Sequence, residues 1–138
     1  KAEVDMTLFF RLLAHVDPDA PQLSVLHEAF YRPELIAEHG TGFDAWLARW
    51  AARVRSGNES SEVRIARMNA ANPRFVLRNY LAQQVIERAE QGDPGMIHEL
   101  LDVLRHPFDE QEDFAAYAAK RPDWARRKPG CSMLSCSS

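Results

Sequence analysis

The chain's two cysteines, Cys131 and Cys136, both stand in its last nine residues, GCSMLSCSS. Attack on a disulfide needs an exposed thiolate, so thiols near a chain end suit exchange chemistry, whereas a structural cysteine tends to be buried. The five histidines are scattered at 15, 27, 39, 98 and 106. His98-Glu99 opens HELLD, which approaches the helical zinc signature H-E-x-x-H, in which two imidazoles one turn apart face a metal and the Glu polarises its water. Asp102 occupies the place of the second His. Aspartate is a rarer zinc ligand, and Glu-Leu-Leu-Asp is ordinary in an amphipathic helix, so no metal ligand is assigned. No G-x-S-x-G elbow is present to raise a serine nucleophile, and no Gly-rich loop to cradle phosphates. Hence no catalytic residue and no cofactor are assigned within these residues.

Two polar runs remain. NPRFVLRNYLAQ, residues 72 to 83, carries Asn72, Arg74, Arg78, Asn79, Tyr80 and Gln83 on a stretch that also holds a full apolar line. Part of its polar face must therefore be buried or engaged, and buried polar groups need partners. Those six residues form either an internal network that ties down neighbouring segments or a contact with a partner surface. KRPDWARRK, residues 120 to 128, sets Trp124 among five cations. It reads either as a grip on an anionic surface, with the ring stacking, or as a solvated tail anchored by one aromatic plug.

The elements that must position these groups read as helices almost throughout. Leu8, Phe9, Leu12, Leu13 and Val16 recur at three- and four-residue steps and predict a helix that Asp17-Pro18 closes. Pro21 opens a segment aligning Leu23, Leu26 and Phe30, and Pro33 a short helix that stops at Gly40. Phe43, Trp46, Leu47, Trp50 and Val54 predict the most aromatic helix, ended by Gly57-Asn58. Ser60 to Ala71 is interrupted at Asn72-Pro73. Pro73 to Gln91 reads as the longest helix, with Leu77, Leu81 and Val85 in line, and Gly92 ends it. Met96, Ile97, Leu100, Leu101 and Leu104 mark a further helix up to Pro107, and a weaker one follows from Gln111 to Ala119. After that the chain turns polar and basic, so 121 to 138 reads as an extended tail behind a helical region 1 to 120. No period-two alternation demands a strand. The fold class is all-α, an irregular helical array.

Composition limits the function classes. At 138 residues, 46% hydrophobic and 27% charged, the chain can bury a core without disulfides or metal. A net charge of -3 argues against a general nucleic-acid binder, whose footprint would be strongly basic. No apolar run approaches the roughly 20 residues of a membrane-spanning helix. The chain begins with Lys1 rather than Met, as expected of a fragment or a processed protein.

Five blocks, in order, carry a resemblance. DMTLFFRLL at 5 to 13, MNAANPRFVLRNYLAQQVIERAEQGD at 68 to 93, HPFDEQ at 106 to 111, RPDWA at 121 to 125 and the terminal LSCSS together resemble the C-terminal portion of selenoprotein O, the pseudokinase family of protein adenylyltransferases. The match is loose between them, above all over 17 to 60.

The resemblance implies a kinase-like parent that binds ATP in an inverted orientation with a divalent metal, Mg, and moves AMP onto Ser, Thr or Tyr hydroxyls of other proteins. It places the phosphate-binding, metal-binding and base residues upstream of Lys1, so none is transferred here. The present helices would be the end of the kinase-like C-lobe and the extension after it, with the upstream domain as their partner. A bacterial member is expected in the cytoplasm; eukaryotic relatives are mitochondrial. In animal members the third residue from the end is selenocysteine, the place held here by Cys136. A redox switch follows as an expectation: Cys131 could close a loop with Cys136, either could pair with an upstream cysteine, or both stay reduced, and Arg126, Arg127 and Lys128 would favour a thiolate. The competing expectation for the whole chain is a free-standing helical interaction module, docking through helix 43 to 54 or the basic tail.

Overall fold

A computed structural model describes residues 3–131. Among them are five α-helices: α1, Met6–Leu13; α2, Ile36–Ser56; α3, Ser61–Ala71; α4, Asn79–Glu90; and α5, Gly95–Arg105. Four 3-10 segments join them, at Leu23–Ala29, Pro33–Leu35, Glu112–Ala118 and Asp123–Arg126. Extended pairing among the described residues is limited to the isolated antiparallel bridge Val4–Phe30. The fold is all-α. The chain divides into two compact units, Lys1–Pro73 and Arg74–Ser138, a boundary that lies inside the region 1 to 120 read as one from the sequence.

In the first unit, Asp5 sets the start of α1. Its carboxylate accepts from the Leu8 N–H at 3.0 Å and from the Tyr31 hydroxyl at 3.1 Å, satisfying one of the orphan donors of the first turn. The expected stripe then turns inward, with Phe9, Leu13 and Val16 buried beside Leu26, Phe30, Ile36 and Leu47. Aromatic edges organise this core: Phe9 and Phe30 lie 6.3 Å apart, Phe30 and Phe43 5.2 Å, both T-shaped, as the ring quadrupole prefers.

Two expectations for this unit change. The segment at Leu23–Ala29 is a 3-10 helix, not an α-helix, although Leu26 and Phe30 are fully buried as its spacing requires. The two helices expected on either side of Gly40 are one: α2 runs unbroken through Gly40 and Gly42. A helical glycine costs about 1 kcal/mol relative to alanine, which the packing of Phe43, Trp46 and Leu47 outweighs. The helix stops where Asn58 takes the left-handed conformation, φ 51°. Ser60 caps α3, accepting from the Val63 N–H at 3.4 Å, and Asn72 closes it by donating its side-chain N–H to the Met68 carbonyl at 2.8 Å.

In the second unit the longest expected helix is shortened. Residues 73 to 78 are not helical, and α4 starts at Asn79. The backbone N–H groups of Arg74 and Phe75 both donate to the Pro107 carbonyl, at 2.7 and 3.0 Å, while the Phe75 ring is 1% exposed. Anchoring that ring outweighs one more helical turn, and Leu77, expected on the apolar line, is exposed. The core here gathers Tyr80, Leu81, Met96, Leu100, Ala125 and Cys131. The weak helix of 111 to 119 is a 3-10 segment kinked at Phe114. Gln111, at φ 39°, donates its amide to the Val103 and His106 carbonyls at 3.1 and 2.7 Å, capping α5.

Candidate functional site

The six polar residues of 72 to 83 do not form one cluster. Asn72 acts within the first unit, where besides closing α3 its carbonyl accepts from Arg11 Nη1 at 3.2 Å. The others work in the second unit and hold the chain that follows α5. Arg74 pairs with Glu110 and lies 3.9 Å from Glu112. Arg78 donates to the Ala118 carbonyl at 3.5 Å, and the Tyr80 hydroxyl to the Ala119 carbonyl at 3.0 Å. Gln83 donates to Glu87 at 3.0 Å, and Glu87 in turn accepts from Lys128 at 2.7 Å. Asn79 sits at the first position of α4.

These contacts make a clamp. Arg78, just before α4, and Tyr80, Gln83 and Glu87 on it meet a returning strap, residues 118 to 131, at Ala118, Ala119, Gly130 and Lys128. Trp124 stands edge-on to Tyr80 at 6.1 Å, and Lys128 lies 5.4 Å over the Trp124 ring. Gly130 has φ +85°, and a side chain there would strike Gln83. The Cys131 N–H donates to the Lys128 carbonyl at 3.1 Å, closing the turn that sinks Cys131 into the core. The segment expected as an extended tail is therefore folded back as far as Cys131.

The two cysteines part company. Cys131 is a free thiol, 6% exposed, against Tyr80, Leu81, Met96 and Leu100, an environment of a packing residue rather than of an exchanging one. Cys136 lies outside the described residues. Lys128, expected to favour a thiolate, instead holds the Glu87 carboxyl below the usual carboxylate range, with help from Gln83.

The HELLD side chains have other work. Glu99 accepts from the Tyr117 hydroxyl, and Asp102 accepts from Arg105 at 2.7 Å. Burial first, then that bond to Glu99, pushes the Tyr117 phenol up to about 12. Among the described residues no group of three or more His, Cys, Asp and Glu side chains could hold a metal ion. No described helix is long and apolar enough to cross a membrane.

Two groups escaped the sequence reading: Arg11 and Arg64, 8% and 3% exposed. Arg11 donates to the Asn69 and Asn72 carbonyls at 3.2 Å each; Arg64 donates to the Val16 carbonyl at 3.2 Å and to that of Ala14 at 3.4 Å. A signal existed. Arg64, Met68 and Asn72 follow one another at four-residue steps, the inward line of α3, while the apolar Val63 beside Arg64 is 56% exposed.

The described residues form an all-α chain with a clamped strap at 118 to 131. Comparison with known proteins gives its relatives. Over all 138 residues the chain is 61% identical to a protein nucleotidyltransferase YdiU of Tolumonas auensis, 56% to one of Azoarcus sp. and 55% to one of Xanthomonas campestris pv. campestris. It spans 27% of the length of each of these relatives. No family model matches the chain. Its whole length thus matches the C-terminal portion of protein nucleotidyltransferases of the selenoprotein O family, the family whose sequence blocks it carries.

Proposed function

We propose that this chain serves as the C-terminal supporting portion of a protein nucleotidyltransferase that transfers AMP from ATP to Ser, Thr or Tyr hydroxyls of proteins. The observation that carries the reading is the full extent of the likeness: 53 to 61% identity over all 138 residues to relatives named for nucleotidyl transfer. ATP, a divalent metal such as Mg, and the residues that hold them belong to the remainder of such a protein, and this chain's partner is that kinase-like remainder. The described residues fit a supporting role, since their strongest polar groups are used on one another, as in the clamp.

Cys136 carries the regulatory part of the proposal. With Cys131 buried, exchange falls to Cys136, which forms a disulfide with a cysteine outside residues 1 to 138 under oxidising conditions and releases it when reduced. Thiol titration against redox potential in the full-length protein tests this. A free Cys136 thiol at every oxidising poise short of damage, with Cys136→Ser leaving activity unchanged with and without reductant, would sink the switch.

The sequence that precedes Lys1 in the source polypeptide tests the main reading. A kinase-like Gly-rich stretch, a Lys, and metal-binding Asp and Asn are expected there. An initiating Met directly before Lys1 would replace this reading with that of a free-standing interaction module.

A further inference from the structure

A cleft of about 530 Å³ opens between the end of α2 and α3, within the first unit, and its wall is rich in guanidinium groups: Arg53, Arg64 and Arg67. Arg67 is already engaged, since its Nε and Nη2 both donate to the Glu59 carboxylate, at 3.0 and 2.7 Å. Arg53 forms no ion pair among the described residues, and the carboxylate that lines the cleft, Glu59, is shared: Arg67 holds it by hydrogen bonds and Arg64 acts on it electrostatically, so three guanidinium groups face one carboxylate.

Arg64 is the telling member. It is 3% exposed, and a buried charge is costly unless it is fully paired. Two carbonyls just past α1 hold one end of its guanidinium, and the Trp50 ring lies 5.9 Å from its central carbon. Its Nε is buried and has no hydrogen-bond partner among the described residues. An arginine so fixed has spent its conformational freedom in advance, and it leaves one donor, Nε, unfilled on a cleft that Arg53 also lines. Planar, fixed guanidinium groups are matched by carboxylate and phosphate oxygens. Trp50, Val54 and Met68 supply an apolar wall on the same cleft.

We infer that this cleft binds a small ligand with an oxyanion head, carboxylate or phosphate, and an aromatic or apolar body. The head sits between Arg53 and Arg64, and the body lies on Trp50, Val54 and Met68. Glu59 is an internal competitor: by occupying the fork of Arg67 it withholds a third cation from the ligand. The hydrogen bond from Arg67 also keeps the Glu59 carboxyl below its usual range, so the competitor stays ionised at neutral pH.

The test is a titration of the full ¹⁵N-labelled chain with phenyl phosphate, with benzoate and with the neutral benzyl alcohol, following the side-chain Nε–H resonance of Arg64. A saturable shift with phenyl phosphate or benzoate, and none with benzyl alcohol, is expected, and the tighter of the two anions identifies the head group. Arg53→Gln, an exposed position, weakens binding roughly fivefold or more, the usual scale for losing one charge-assisted contact. Glu59→Gln tightens it roughly severalfold, because Arg67 is released to the ligand. Neither change removes a core side chain, so both variants keep the helical content of the parent. The inference is overturned if neither anion moves the Arg64 resonance saturably, if benzyl alcohol moves it equally, or if the two substitutions leave the anion affinity unchanged.

Discussion

Tyr117 and Tyr80 show how single hydroxyls are used in the second unit. Tyr117 holds its proton more tightly than a free phenol, because partial burial disfavours the phenolate and the hydroxyl donates to Glu99. Its pKa moves from 10.0 to about 12, so what this shift adds to stability is complete below pH 10 and is lost as the pH rises through about 12. Following the ultraviolet phenolate band against pH should show Tyr117 titrating late. In Glu99→Gln that step should move down without reaching 10.0, since burial remains. Tyr80 differs in that its partner is a strap carbonyl. Tyr80→Phe should cost about 1 kcal/mol in thermal or urea unfolding, the typical net loss of one hydrogen bond with its acceptor left unpaired. An unchanged midpoint would place the strap's attachment elsewhere.

Among elements, the strap depends on two residues of opposite character. Phe75 fixes the chain before α4 by filling a site where it is 1% exposed, and Phe75→Ala should cost about 3–5 kcal/mol in denaturant unfolding. Gly130 allows the strap to turn at φ +85° directly over Gln83. Gly130→Ala should destabilise by about 1–2 kcal/mol, from backbone strain together with displacement of the Gln83 bond to Glu87. Gln83→Ala in the same chain should remove the steric part of that penalty and keep the strain. Elements with strong local signals were legible from sequence: the α1 stripe that buries Phe9 and Leu13, Ser60 at the start of α3, and the α5 stripe that buries Met96 and Leu100. Those decided by distant contacts were not. The pull of Pro107 on residues 74 and 75 unmakes a helix that periodicity favours, and packing carries α2 across glycines that read as a stop. Of the clamp, Arg78, Tyr80 and Gln83 were legible in the polar run, but Glu87 and the points they hold were not, because backbone carbonyls at 118 and 119 carry no sequence signature.

At the scale of the whole molecule, the account rests on a division of labour. These 138 residues span 27% of the length of the nucleotidyltransferases they match. Their buried polar groups close helices and fasten a strap. The proposal places the chemistry of transfer in the rest of the protein. The most direct measurement incubates ATP labelled at the α-phosphate, Mg²⁺ and acceptor proteins with two preparations, the longer source polypeptide and residues 1 to 138 alone. The account predicts hydroxyl-linked label on acceptor proteins with the longer polypeptide and none with the 138-residue chain. Robust transfer by the 138-residue chain alone, or none by the longer polypeptide, would contradict it.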